Sequence, residues 1–406
     1  MALTRDGKLL FVTRFLRLFS YGMLAVVLVL YLTSIGLSES QTGLLMTLTL
    51  AGDTAISLVL TTQADRIGRR KMLITGAVLM TAAGLAFALT NHFWLLLVAG
   101  TIGVISPSGN EVGPFLPIEQ AALSEVVPPR DRTGAFAWYT LTGAIATATG
   151  SLVGGLLTAR LERMNLTPVA SQRAIVLVYA AMGVSLAIVF SRLSSGTERQ
   201  SASKIAGWAR LVGIDRSRAV VLRLSGLFAL DAFGGGFVVQ SFAAYWFYLR
   251  FGVSPATLGG IFFGANLFAG ISALLASKIA ARIGLVRTMV FTHLPSNVLL
   301  MLVPLMPTLH LAILVLLARF SISQMDVPTR QSYTMAIVPP EERSAAAGIT
   351  GVARTTGASI APVFAGLLFA RPALIDWPFY IAGAVKVIYD LLLYRAFVGH
   401  SPAAED

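Results

Sequence analysis

PIEQAALSEVVPPRDRTGAF, residues 117–136, returns with substitutions as PTRQSYTMAIVPPEERSAAA at residues 328–347. The copies lie 211 positions apart in a chain of 406. Gln120 falls on Gln331, Pro128-Pro129 on Pro339-Pro340 and Arg132 on Arg343, and further on GSLVGG (150–155) overlays APVFAG (361–366) in the same register. Each Pro-Pro-x-x-Arg joint sits between two long apolar runs, so the repeating unit is about half the chain. Membrane transporters are commonly built from such repeats, with the substrate site at their interface near the midplane.

Composition agrees with a membrane setting. The chain is 56% hydrophobic and 12% charged, with a mean hydropathy of +0.76, whereas a soluble domain is about 25% charged. That excludes a cytoplasmic enzyme, a nucleic-acid binder and a disordered regulator. Cutting the apolar runs at charged or Pro/Gly/Asn-rich joints gives twelve segments near the 20 or so residues a spanning helix needs: 11–34, 41–62, 72–90, 93–124, 133–158, 172–192, 218–249, 255–277, 286–306, 309–337, 344–370 and 377–397. None shows the short alternating pattern of outer-membrane strands. The first segment reads as a retained helix, because no small-residue cleavage site follows a short apolar core.

The net charge of +12 comes from 31 Lys+Arg against 19 Asp+Glu. With residue 1 inside, nineteen cations fall in inner loops and five (Arg160, Arg163, Arg173, Arg250, Arg371) in outer ones, which puts both termini in the cytoplasm. A basic stretch, 193–217, divides the chain into bundles 1–192 and 218–406. Within it Ile205, Trp208, Leu211 and Val212 suit either a helix lying on lipid or an ordinary linker. Cysteine is absent and the four histidines (His92, His293, His310, His400) have no metal-ligand spacing, so no metal is expected. No H-E-x-x-H, G-x-S-x-G or phosphate-binding loop occurs, so neither catalysis nor direct use of ATP is expected.

Between the second and third segments stands Asp65-Arg66-Ile67-Gly68-Arg69-Arg70-Lys71. It resembles the D-R-x-G-R-R/K loop signature of the major facilitator superfamily, at the place where that family carries it. The twelve segments, the two halves and the basic central stretch are similar to the family over the whole chain, with bacterial drug/proton antiporters the nearest likeness. Thr61 stands where the family motif usually has glycine, and Ala281-Arg282-Ile283-Gly284 is a second copy without the acid. The resemblance implies an all-α membrane protein of two pseudo-symmetric six-helix bundles. It also implies a cytoplasmic gate, for which Asp65, Arg66, Gly68, Arg69 and Arg70 are candidates together with Asp131, Arg132 and Arg343. Topology alone would also account for the four cations, held against anionic headgroups. Ala146-x-x-x-Gly150-Ser151-x-x-Gly154-Gly155 and Gly357-x-x-x-Ala361-Pro362-x-x-Ala365-Gly366 look like a glycine pattern of the family's exporters, although close helix packing would explain the small residues equally.

Ionisable residues inside spans are costly and are functional candidates by default. Asp53, Glu111, Glu119, Asp231, Arg319, Asp326, Arg330 and Arg354 form the candidate substrate and proton-coupling set, with Gln240 and Asn266 as further hydrogen-bonding groups. Arg319, Asp326 and Arg330 share one helix sector at 100° per residue, and Asp326 and Arg330 can pair at i,i+4. Glu119 maps onto Arg330 in the repeat, which invites a bridge between the halves. Arg14 and Arg17 are expected to snorkel to the inner surface, and Lys386 and Asp390 to pair along one helix.

The reading that follows is a secondary transporter in the cell's inner (cytoplasmic) membrane, working by alternating access and exporting small organic or amphipathic compounds in exchange for protons. The proton gradient is the energy source and no cofactor is needed. The partners expected are substrate, protons and membrane lipids, with no nucleic acid, and the protein is expected to act as a monomer. A carrier of an organic or inorganic anion bound by the embedded arginines is the alternative. A non-transporting receptor or lipid scramblase is the reading from another class.

Overall fold

The computed structural model describes residues 4–109, 113–128, 131–198, 217–339 and 342–399. These contain fifteen α-helices and no strand: α1 (Arg5–Ser34), α2 (Glu39–Ile67), α3 (Arg69–Leu89), α4 (Phe93–Ile102), α5 (Phe115–Val126), α6 (Arg132–Arg163), α7 (Pro168–Ser191), α8 (Arg218–Gly236), α9 (Gln240–Phe251), α10 (Pro255–Ile283), α11 (Leu285–Leu302), α12 (Leu309–Ser323), α13 (Asp326–Ala336), α14 (Arg343–Phe369) and α15 (Trp377–Phe397). Ten helical stretches are long and apolar enough to cross a bilayer. Of the other two expected segments, 93–124 is broken into α4 and α5, and α15 carries Lys386, Asp390 and Arg395 among its 21 residues.

The helix ends follow from local chemistry. Thr4 accepts from Gly7 N at the start of α1, Ser38 and Gln41 form a reciprocal capping box on α2, and Thr167 and Thr308 cap α7 and α12; each satisfies a backbone N–H that lacks an intrahelical partner. The two loop copies turn on Gly68 and Gly284, at φ +119° and +86°, a backbone region open to glycine at little cost. Leu89, Trp94, Leu95 and Leu314 are among the apolar side chains left facing outward, as a lipid-solvated surface requires.

The chain forms two compact units, Met1–Ser203 with Val239–Phe263, and Lys204–Val238 with Gly264–Asp406. In the first, Gly150 and Gly154 let α6 run against α1: a Cβ on Gly150 would come within 2.0 Å of the Phe19 carbonyl oxygen. In the second, Gly357 of α14 meets Ala229 of α8 in the same way, at 2.3 Å. Small residues thus bring backbones into contact where the hydrophobic effect cannot drive helices together. Leu224, Phe228, Met289, Val290, Tyr333, Tyr389, Leu393 and Phe397 form an apolar core of the second unit.

Candidate functional site

Charged side chains gather at one place in each unit. In the first, Glu119 of α5 accepts from Arg17 Nη2 of α1 at 2.7 Å and from Thr13 Oγ1 at 2.8 Å, and it also accepts from the Tyr139 hydroxyl of α6. Arg17 and Glu119 are wholly buried, and Arg17 lies 4.8 Å over the Phe115 ring. Arg14 sits 4.7 Å over the ring of Tyr139. The expected snorkelling of these arginines is therefore corrected: both turn inward, where a carboxylate and aromatic faces replace water. Glu119 and Arg330, which the repeat invited to bridge, each have their ion-pair partners within their own unit.

The second unit holds a larger network. Asp231 of α8 accepts from Lys386 Nζ of α15 at 2.6 Å and from Arg330 Nη1 of α13 at 3.2 Å, with His293 Nε2 of α11 at 3.6 Å. Arg330 also pairs with Asp326 at 2.9 Å, the i,i+4 contact read from the sequence. Asp390 accepts from Asn297 Nδ2 at 2.9 Å and lies 2.8 Å from His293 Nδ1. Lys386 and Asp390 consequently do not pair along α15; each turns to a different helix. The helix expected over 309–337 breaks at Gln324–Met325. Arg319 is left on α12 across that break, 4.8 Å over Phe320 and outside the Asp326 pair.

His293 is the residue that sequence reading missed. Its i+4 neighbour Asn297, which puts two hydrogen-bonding side chains on one helix face, was the available signal. Asp231, His293 and Asp326 each offer a ligand atom within 4.8 Å of the others, a spacing that could hold a metal ion. Lys386 and Arg330 already supply positive charge there, which works against a divalent cation.

The two clusters are related by the repeat. A Cβ on Gly22 would meet the Thr147 carbonyl at 2.2 Å, and one on Gly236 would meet the Ala358 carbonyl at 2.5 Å, so α1 and α8 align at an offset of 214 where α5, α6 and their counterparts align at 211. Arg17 then falls on Asp231 and Glu119 on Arg330. The same ion pair stands in both units with its charges exchanged. Gly183 against Ala77 and Thr81, and Gly383 against Asn297 and Met301, give the offsets for α3/α11 and α7/α15 (220 and 200). His293, Lys386 and Asp390 fall on Leu73, Leu186 and Phe190, all fully buried. One half is dry where the other is ionic.

The other candidates are dispersed. Asp53 of α2 is buried and its Oδ1 has no hydrogen-bond partner. Gln240 donates to Ser151 Oγ at 3.1 Å at the start of α9, beside the Ser241 N–H that donates to Pro107 O at 3.1 Å. Asn266 is half-buried on α10 and Arg354 half-buried on α14. Glu111 and Glu341, the 205–212 stretch, His400 and the side chain of Asp65 lie outside the described residues. A cavity of about 440 Å³ in the first unit, lined by Thr33, Glu162, Gln172, Tyr245 and Tyr248 among others, contains none of the network residues.

At the loop signature, the carboxylate on the α3 N-terminus is Glu198, which accepts from the N–H of Arg69 at 2.7 Å and of Arg70 at 3.1 Å. Arg69 is buried rather than turned to headgroups, and donates to Thr197 O at 3.2 Å and Glu125 Oε1 at 3.5 Å. Arg66 and Arg70 are exposed. Arg132 Nε reaches Val127 O at 3.4 Å and Arg343 Nε reaches Met335 O at 2.9 Å, so each repeated Pro-Pro-x-x-Arg arginine ties its loop back to the helix before it. Asp131 is half-buried just ahead of α6.

The family model described as Major Facilitator Superfamily matches residues 10–324 and 233–406. This chain belongs to that superfamily. As a major facilitator it is a multi-pass membrane protein and a secondary transporter. It is 32% identical over 426 residues to "Uncharacterized membrane protein YJR124C" of Saccharomyces cerevisiae, covering 98% of this chain and 95% of that protein. It is 35% identical over 94 residues to a "Na(+), Li(+), K(+)/H(+) antiporter" of Planococcus maritimus, 23% of this chain and 22% of that one. The crystal structure of a mutant of the nucleoside transporter NupG aligns with a TM-score of 0.80 at 12% identity, covering 97% of this chain and all of the other. The shared fold is that of the major facilitators.

Proposed function

We propose that this major facilitator exports small organic or amphipathic compounds by alternating access in exchange for protons, with both termini in the cytoplasm. The observation that carries the reading is Asp231, held between Lys386 at 2.6 Å and Arg330 at 3.2 Å beside His293, with Lys386 and His293 standing where the related half has buried leucines. A purely structural core would be served by the leucine and phenylalanine packing of the first half, because a buried ion pair seldom outperforms well-packed apolar residues. Retaining charge there calls for a use.

A proton supplies one. Protonated Asp231 no longer attracts Lys386 and Arg330, and α8, α13 and α15 lose the charge that ties them. Deprotonated, it draws both cations back. Such a group gives two arrangements biased by one proton, as coupled transport needs. Asp326 and His293 extend the relay. Arg17–Glu119, with Thr13 and Tyr139 donating to the carboxylate, serves as the fixed counterpart, and Asp53 is a second proton site in the first unit. The relative named as an H⁺ antiporter matches only 23% of the chain, and it supports the direction of exchange only to that extent.

The test is proton flux in proteoliposomes of the full chain, read with a trapped pH dye while a compound library is added. Wild-type protein should show compound-dependent flux and Asp231→Asn none. An Asp231→Asn variant that couples as well as wild type would remove the reading.

A further inference from the structure

The cavity of about 440 Å³ lies at the end of the first unit where α1, α6 and α9 finish and α7 and α10 begin. With both termini in the cytoplasm, this is the outer end. Its wall holds one carboxylate, Glu162, and no Lys, Arg or His. Glu162 enters no ion pair among the described residues, nor does Glu39, which accepts at 2.8 Å from the hydroxyl of Tyr245 on the same wall. The nearby arginines turn elsewhere: Arg163 Nε donates to Ala159 O and Arg173 Nη2 to Asn91 Oδ1, each at 3.3 Å. The backbone carries the same sign. Three helices bring their C-terminal turns to the cavity, and carbonyls there are partially negative. The two helices that begin there do so on Pro168 and Pro255, which have no N–H, and the Thr167 and Ser254 hydroxyls accept from Ala170 N and Thr257 N. Tyr245 and Tyr248 both line the cavity, with their rings stacked 6.4 Å apart, and aromatic faces attract cations. Gln172 stands on the wall, 5% exposed, with an amide oxygen that has no hydrogen-bond partner. A buried acceptor left open calls for a donor.

We propose that this cavity binds an organic ammonium ion, whose N–H groups go to Glu162 and the Gln172 amide and whose apolar body lies along Tyr245 and Tyr248. The volume is that of a small-molecule site. A neutral compound would leave Glu162 uncompensated, and an anion would meet a carboxylate and three helix C-termini. All of these residues belong to the first unit, whereas the Asp231 network belongs to the second, so the site does not depend on how protons are coupled. A free amine and the headgroup of phosphatidylethanolamine both carry the group required, and the experiment tells them apart.

The experiment is isothermal titration calorimetry of the purified full chain in neutral detergent, with phenethylammonium, 2-phenylethanol and phenylacetate as matched probes. The ammonium should bind and the neutral and anionic analogues should not. Glu162→Gln should weaken binding about tenfold or more, as loss of a hydrogen bond between charged groups does, and Tyr248→Leu about threefold, as loss of one ring face does. Asp376→Asn, which removes a carboxylate from the second unit away from the cavity, should leave it unchanged. Phosphatidylethanolamine added to the micelles should displace phenethylammonium if the headgroup is the natural occupant, with phosphatidylglycerol inert; failure of both to displace it assigns the site to a free amine. Should Glu162→Gln not fold, a photoactivated azidophenethylammonium should label Gln172, Tyr245 or Tyr248 of the wild type, mapped by peptide mass spectrometry. No binding of the ammonium, equal binding of the alcohol or the carboxylate, undiminished binding in Glu162→Gln, or labelling confined to other residues would each overturn the proposal. So would binding lost in Asp231→Asn and kept in Glu162→Gln, which would put the ammonium on the charge network instead. Ammonium binding without proton flux would sink the coupling reading and leave this site standing; flux without ammonium binding would do the reverse.

Discussion

Replacing Glu119 by glutamine isolates the value of one buried charge. Gln keeps one acceptor oxygen for the Tyr139 hydroxyl and can turn its amide N–H to the Thr13 oxygen, which still donates to Leu10 O, so the lost charge falls on Arg17, whose side chain is 0% exposed and 2.7 Å from the carboxylate oxygen. Removing one partner of a buried pair costs about 3–5 kcal/mol, since the other charge stays desolvated. At about 2–4 °C per kcal/mol for a domain of roughly 150–250 residues, the melting temperature should fall roughly 6–20 °C. The double variant Arg17→Met, Glu119→Leu removes both charges and should recover most of that loss, because an apolar replacement of a buried pair is often neutral. Arg17→Asp with Glu119→Arg installs the polarity of Asp231–Arg330 and should fold more stably than the single variant. Tryptophan-fluorescence melting of detergent-purified protein measures all three. If the apolar double variant melts no higher than Glu119→Gln, the pair is not what Glu119 serves, and the exchanged-charge relation between the halves loses its meaning.

Lys386→Met leaves Asp231 with Arg330 and His293; the protein should remain folded while compound-driven proton flux falls, and an unchanged flux in proteoliposomes would contradict it. Glu198→Gln removes the carboxylate from the α3 N-terminus, a stabilisation of about 0.3–1 kcal/mol, and should speed amide exchange at Arg69 and Arg70 without lowering the yield of folded protein. Gly150→Leu places a side chain where even a Cβ would sit 2.0 Å from the Phe19 carbonyl. It should abolish monodisperse protein in size-exclusion chromatography, whereas Gly134→Ala, with open space around it, should be silent.

Much of the architecture was open to reading from the chain. Apolar length and the 117–136/328–347 repeat led to spanning helices and two related halves, because a bilayer tolerates few spanning structures and each needs a long apolar run. The i,i+4 pair Asp326–Arg330 was legible for the same reason, being a matter of spacing within one helix. The breaks between α4 and α5 and at Gln324–Met325 were less so. Gly and Pro crowd the first, but nothing in the apolar pattern marks the second.

Partnership across helices lay beyond it. Lys386 and Asp390 sit one turn apart, yet Lys386 goes to Asp231 of α8 and Asp390 to His293 and Asn297 of α11. Arg17 looked like an inner-surface cation until Glu119 and Phe115 met it from α5. Linear order records which side chains share a helix face; which faces meet depends on rotation and depth, set by contacts as local as Gly22 on Thr147 and Gly236 on Ala358. Those contacts decided that one half buries the pair Arg17–Glu119 and the other spreads its charges over α8, α11, α13 and α15.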